Sequence, residues 1–165
     1  MAAPLGPVPP GPDRDDPADH TRLEADASAL TLVLAKATAS VYPKVPAAQL
    51  RALQFIGDHE PVNLTRLTEE LGTIPSSASR ICDRLQASGL LDRRPATTDR
   101  REVELLLTSD GRSLLHRLKE ARREGLAHIL DAMPAPARTA LLHGLSEFAA
   151  IATPTPQPHP HRDTA

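Results

Sequence analysis

Apolar residues recur along this chain first with a helical spacing, then with a two-residue alternation, then with a helical spacing again. Leu23, Ala27, Leu30, Leu34, Ala37 and Val41 follow one another in steps of four and three, which predicts a helix over 20–42 with a heptad-like stripe. Pro43 and Pro46 interrupt it. A second helix is expected over Ala47–Asp58 with Leu50, Leu53, Phe55 and Ile56 as its apolar residues, and a third over Leu64–Leu71, N-capped by Asn63 and closed by Gly72. Beyond Pro75 a fourth helix carries Ala78, Ile81, Cys82 and Leu85 on one side, and Ser76, Arg80, Asp83, Arg84 and Ala87 on the other, until Gly89 stops it.

The period then changes to two. Leu90–Arg94, stopped by Pro95, reads as a strand, and Val103, Leu105 and Leu107 alternate with Glu102 and Glu104 in a second one, with a short polar loop at 96–101 between them. Thr108 or Ser109 caps a long helix to about Met133. Pro134 and Pro136 mark its break, and a last helix over Ala137–Ala152 puts Leu141, Leu145 and Phe148 on one side. Helix, helix, strand, tight basic loop and strand in this order describe a winged helix-turn-helix, so the expected fold is mainly α with a small β-wing.

Composition sets the limits of the domain. Residues 1–19 are rich in Pro, Gly and Asp, and 153–165 place a proline at nearly every second position before His159 and His161; both read as disordered tails around one domain at 20–152. With aromatics at 2% of the chain, aliphatic and alanine packing must form the core.

Charge adds a location. The chain carries a formal net charge of −2, yet residues 75–101 hold six arginines against three aspartates, a local excess of three positive charges suited to phosphate. On the fourth helix, Ser76, Ser77 and Ser79 let a partner come close and Arg80 can fork onto a guanine, so these are the base-facing candidates. Arg84, with Asn63, Thr65 and Arg66 at the start of the third helix, is placed to hold phosphates. Arg94, Thr97, Thr98, Arg100 and Arg101 complete the basic strand and loop.

Leu71-Gly72, Ser76-Ser77, Ser79 to Leu85, Gly89-Leu90-Leu91, and Asp99-Arg100-Arg101 followed by Leu107-Thr108 and Gly111 together resemble the MarR family of bacterial transcriptional regulators, over residues 20–152. The resemblance implies a homodimer that binds a pseudo-palindromic operator in double-stranded DNA, with two recognition helices about one helical turn apart, roughly 34 to 36 Å. It makes Asp99 the brace of the wing and Arg100 or Arg101 the residue entering the minor groove. It assigns 46–109 to the DNA-binding core, and 20–45 and 110–152 to dimerisation helices, so Leu23, Ala27, Leu30, Leu34, Leu141, Leu145 and Phe148 become interface candidates. It further implies a crevice, drawing on the first, second and fifth helices, that accepts a small lipophilic or aromatic acid as effector. The other use of such a domain is a protein-binding winged-helix dimer without operator specificity.

Other chemistries find little support. His59-Glu60 opens like a zinc-protease motif, but Asn63 stands where the second histidine belongs and Pro61 breaks the required helix. Neither a nucleophile elbow nor a phosphate loop is present, so no enzyme activity and no cofactor or metal is expected. Cys82, the one cysteine, lies on the packing side of its helix and reads as a small buried hydrophobe rather than a redox sensor. No apolar run approaches the ~18 residues of a membrane span, and the N-terminus lacks the order of a signal peptide; the expected location is the cytoplasm.

Overall fold

In the computed structural model the described residues are 17–96 and 103–152, which form α1 (Pro17–Ser40), α2 (Ala47–His59), β1 (Val62–Asn63), α3 (Leu64–Leu71), α4 (Pro75–Ala87), β2 (Leu91–Pro95), β3 (Val103–Leu107), α5 (Ser109–Ala132) and α6 (Ala135–Ala152). Residues 1–16 and 153–165, His159 and His161 included, lie outside them, as do residues 97–102.

The helices begin where the local chemistry places them. Asn63 Oδ1 accepts the Arg66 N–H at 2.9 Å and caps α3. Thr108 Oγ1 accepts the Gly111 N–H at 3.0 Å, which makes Thr108 rather than Ser109 the cap of α5. Two prolines sit differently from expectation: α1 starts at Pro17, inside the stretch assigned to the tail, and α6 starts before Pro136. In both cases the first turn tolerates proline, because its N–H groups have no partner within the helix.

Among the described residues three antiparallel strands, in the order β1-β3-β2, stand where two were expected. Val62 pairs with Leu105 and Asn63 with Glu104, a two-residue strand too short to show any alternation. Pro95 does not stop β2 but closes it, opposite Val103; β2 is an edge strand, where a missing N–H costs no ladder bond. Along β3, Leu105 and Leu107 are buried as the alternation predicts, whereas Val103 is exposed.

One core joins these elements. Leu53 and Ile56 of α2, Val62 of β1, Leu67 of α3, Cys82 and Leu85 of α4, and Leu105 of β3 are all buried to within 1% of complete. Burying one such aliphatic side chain is worth about 1.5 to 3 kcal/mol. No aromatic ring is among the fully buried side chains; Phe55 only borders the cluster. At the edge of this core, Glu60 accepts from both the Leu107 N–H and the Arg112 guanidinium, while Arg112 also donates to Leu107 O at 2.9 Å. The glutamate of the would-be protease motif therefore ties the α2–β1 turn to the β3–α5 junction.

The chain divides after Gly125 into two compact units. In the first, α1 meets α5 where Val33 and Ala37 face Gly125. The second holds the end of α5 and α6, and α6 has no buried residue: Leu141, Leu142, Leu145, Phe148 and Ile151 are all exposed.

Candidate nucleic-acid interface

Between α3 and α4 the chain turns on Gly72 and enters the second helix through Ile74, whose carbonyl accepts the N–H groups of Ser77 and Ala78 at 3.0 and 3.1 Å. Pro75 supplies the first helical residue, its fixed φ suiting that position. The rest of α4 obeys its two-sided pattern: Ala78, Cys82 and Leu85 are buried, and Ser76, Arg80, Asp83, Arg84 and Ala87 are exposed. Ser76, Arg80 and Arg84 follow at steps of four and form one outward ridge. Ser77 and Ser79, grouped with them as base-facing, stand differently: both are half-buried.

The arginines divide by partner. Arg93 of β2 places Nη2 2.7 Å from Asp83 Oδ1 and reaches Ser79 O at 3.4 Å, so it holds the wing strand against α4. Arg94 donates from Nε to Asp92 Oδ2 at 2.9 Å but is largely exposed. Arg80 and Arg84 form no ion pair among the described residues. Among the described residues of this stretch, the arginines without an ion pair therefore lie on the outer ridge of α4. Two of the three aspartates counted against it, Asp83 and Asp92, are already engaged by Arg93 and Arg94. Spacing along the chain gave no sign of the Arg93–Asp83 pair, because the two residues lie ten positions apart on different elements.

At the start of α3, Thr65 and Arg66 are exposed, and the Arg66 guanidinium lies 5.8 Å from the Phe55 ring centre. Asn63 has its Oδ1 engaged in capping, so its amide nitrogen is the donor of that side chain. Gly89 ends α4 with φ +70, a left-handed conformation natural to glycine. Its carbonyl accepts Thr108 Oγ1 at 2.6 Å, joining the recognition helix to the start of α5. Thr97, Thr98, Asp99, Arg100 and Arg101 lie outside the described residues.

Cys82 is wholly buried beneath this surface. Burial pushes its thiol above the usual range, and the nearby Arg93 guanidinium draws it only partly back.

A cavity of about 510 Å³ opens among α1, α2 and α5, with Leu34, Val45, Leu50 and Leu114 in its wall and Arg122 and Lys44 at its polar side. Arg122 donates to Thr38 Oγ1 at 3.3 Å, which holds the guanidinium against α1. Of the residues expected at a dimer interface, Leu23 and Ala27 are exposed, and so are Leu141, Leu145 and Phe148, the last at 60%; Leu30 and Leu34 are half-buried. Among the described residues no helix is long and apolar enough to cross a membrane, and no three His, Cys, Asp or Glu side chains converge as a metal site would require.

Residues 44–102 match the model of the MarR family, a span that takes in α2, both helices of the helix-turn-helix and β2. The solved structure of RV1404 from Mycobacterium tuberculosis is 33% identical, superposes with a TM-score of 0.76, and covers 85% of this chain and 97% of its own. The HTH-type transcriptional regulator YhjH of Bacillus subtilis, itself uncharacterised, is 32% identical over 78 residues, which is 46% of this chain and 45% of that protein. The chain thus spans about half the length of that curated relative. The transcriptional repressor CouR, solved bound to a 23-mer DNA duplex, is 25% identical with a TM-score of 0.56, covering 78% of this chain and 89% of its own. With the winged helix-turn-helix in place and its central segment matched, this chain belongs to the MarR family.

Proposed function

We propose that the protein is a transcriptional repressor that binds a pseudo-palindromic operator as a homodimer and releases it when a small lipophilic acid enters the cavity beside α1. The observation that carries the reading is the outer ridge of α4: Ser76, Arg80 and Arg84 stand exposed, and neither arginine is neutralised by a described neighbour, on a helix that Arg93 fixes to the wing. Serine and arginine are the donors that read base edges and hold phosphates in a major groove. The DNA-bound state of CouR supports the same use of the fold.

In this reading Ser76, Ser77, Ser79 and Arg80 face bases; Arg84, Arg94, Asn63, Thr65 and Arg66 contact the backbone; and the wing, with Thr97, Thr98, Arg100 and Arg101 braced by Asp99, reaches the neighbouring minor groove. Leu23 and Ala27 of α1, and Leu141, Leu145 and Phe148 of α6, are exposed apolar residues that a second copy would cover. A cavity of about 510 Å³ is of the size that takes a drug-like molecule, and Arg122 and Lys44 suit a carboxylate.

Selection from random duplexes followed by titration at two salt concentrations tests the reading. One dimer per enriched site, with affinity that falls steeply as salt rises, is the expected result. Failure to enrich any sequence, or equal binding to enriched and scrambled duplexes, would turn the assignment to a winged helix that docks on proteins.

A further inference from the structure

Ile74 stands at the N-cap of α4, where Ser, Thr, Asp or Asn would normally accept a backbone N–H; its side chain makes no cap hydrogen bond. The same side chain is 63% exposed, although the apolar core lies just beneath the helix. An isolated exposed isoleucine is commonplace, but this one also forgoes a cap, so the position is unfavourable to the free protein in two separate ways. Sites that break local rules without a compensating contact within the fold are where a ligand contact is to be sought.

The position is equally specific. In a helix-turn-helix the N-terminal residues of the second helix approach the base edges, and the thymine C5 methyl is the one apolar group that the major groove presents. Ile74 precedes Ser76 and Ser77, the first of the base-facing candidates. We infer that Ile74 reads a thymine in each operator half-site through van der Waals contact with its C5 methyl. The inference rests on the operator-binding reading above and adds a specificity element to it.

The test uses the full chain and the duplex enriched by selection. Each thymine is replaced in turn by deoxyuracil, which removes the methyl and changes nothing else on the groove edge. Binding of the wild type should weaken about fourfold at one thymine per half-site, the effect of one buried methyl. Ile74→Ala should bind the unmodified duplex correspondingly more weakly and lose the response to deoxyuracil at that position. Ile74→Thr introduces a capping hydroxyl and keeps only a γ-methyl of the apolar side chain, so it should melt higher than the wild type while its methyl response shrinks, which separates the contact from helix stability. If no thymine is methyl-sensitive in the wild type, or if the sensitivity persists undiminished in both variants, the assignment of Ile74 is overturned while operator binding stands. If selection enriches nothing, both fall together, and that is known before any methyl is removed.

Discussion

The guanidinium of Arg93 lies 2.7 Å from the carboxylate of Asp83 and so couples the first wing strand to the solvent side of the recognition helix. Both side chains are partly exposed, at 30% and 55%, so the pair itself is worth no more than about 0.2 to 1 kcal/mol to folding. Its larger consequence is geometric: it sets the angle at which α4 and the wing are offered together. Arg93→Ala should therefore weaken operator binding with little change in melting temperature. The slope of log K against log salt should stay as in the wild type, because no phosphate contact is lost. Arg93→Lys should recover part of the loss, since one nitrogen, Nη2, makes both the Asp83 and the Ser79 contacts and an ammonium that reaches the same point can donate to both.

Arg80 and Arg84 should separate in the same titration. Arg80→Ala is expected to cost about 1 to 3 kcal/mol on the enriched operator and to relax base preference. Arg84→Ala should weaken all duplexes alike and lower the salt slope by about one. An equal loss on every sequence for Arg80→Ala would move it from base reader to phosphate contact.

A methyl at Gly111 would collide with the carbonyl oxygen of Leu90, which is backbone and cannot swing aside. Gly111→Ala should therefore destabilise the fold by about 1 to 3 kcal/mol, read as a lowered urea midpoint. Gly125→Ala is the control in the same helix. Its added methyl meets Ala37 and Val33 at an ordinary 3.7 Å, and replacing a mid-helix glycine should stabilise by about 0.8 to 1 kcal/mol.

Cys82 should react slowly with alkylating agents in the native protein at neutral pH, because burial raises its thiol and hides the sulfur. The folded state holds the thiol proton more tightly than the unfolded chain does. This contribution to stability is full below the unfolded thiol's range near about 8.5 and declines as pH rises through the folded value. In Cys82→Ala that alkaline loss should disappear from the denaturation profile. Mild peroxide should leave DNA affinity unchanged; a strong loss that Cys82→Ser abolishes would make the residue a sensor.

Charge placed on α6 should divide the proposed homodimer. Leu145→Asp alters a residue that is already exposed in the single chain, so helix content should persist while light scattering reports a monomer with weakened operator binding. A dimer of wild-type strength would remove α6 from the interface.

The sequence alone determined the features that depend on neighbours three or four residues apart. The two faces of α4, the Asn63 cap and the left-handed Gly89 follow from local steric and hydrogen-bond rules, so they are legible without knowledge of the rest of the chain. Tertiary structure decided what depends on partners distant in sequence. A two-residue β1 forms only because β3 offers it a ladder, and Pro95 belongs to β2 only because that strand lies at an edge. Arg80 and Arg93 look alike in a charge count, but Asp83 meets only the second; nothing near Glu60 in the sequence points to Arg112 and the Leu107 N–H, which it meets in the fold. Periodicity records which side of a helix is apolar, whereas the partner of a charge is fixed by distances through space, and those exist only once the chain has folded.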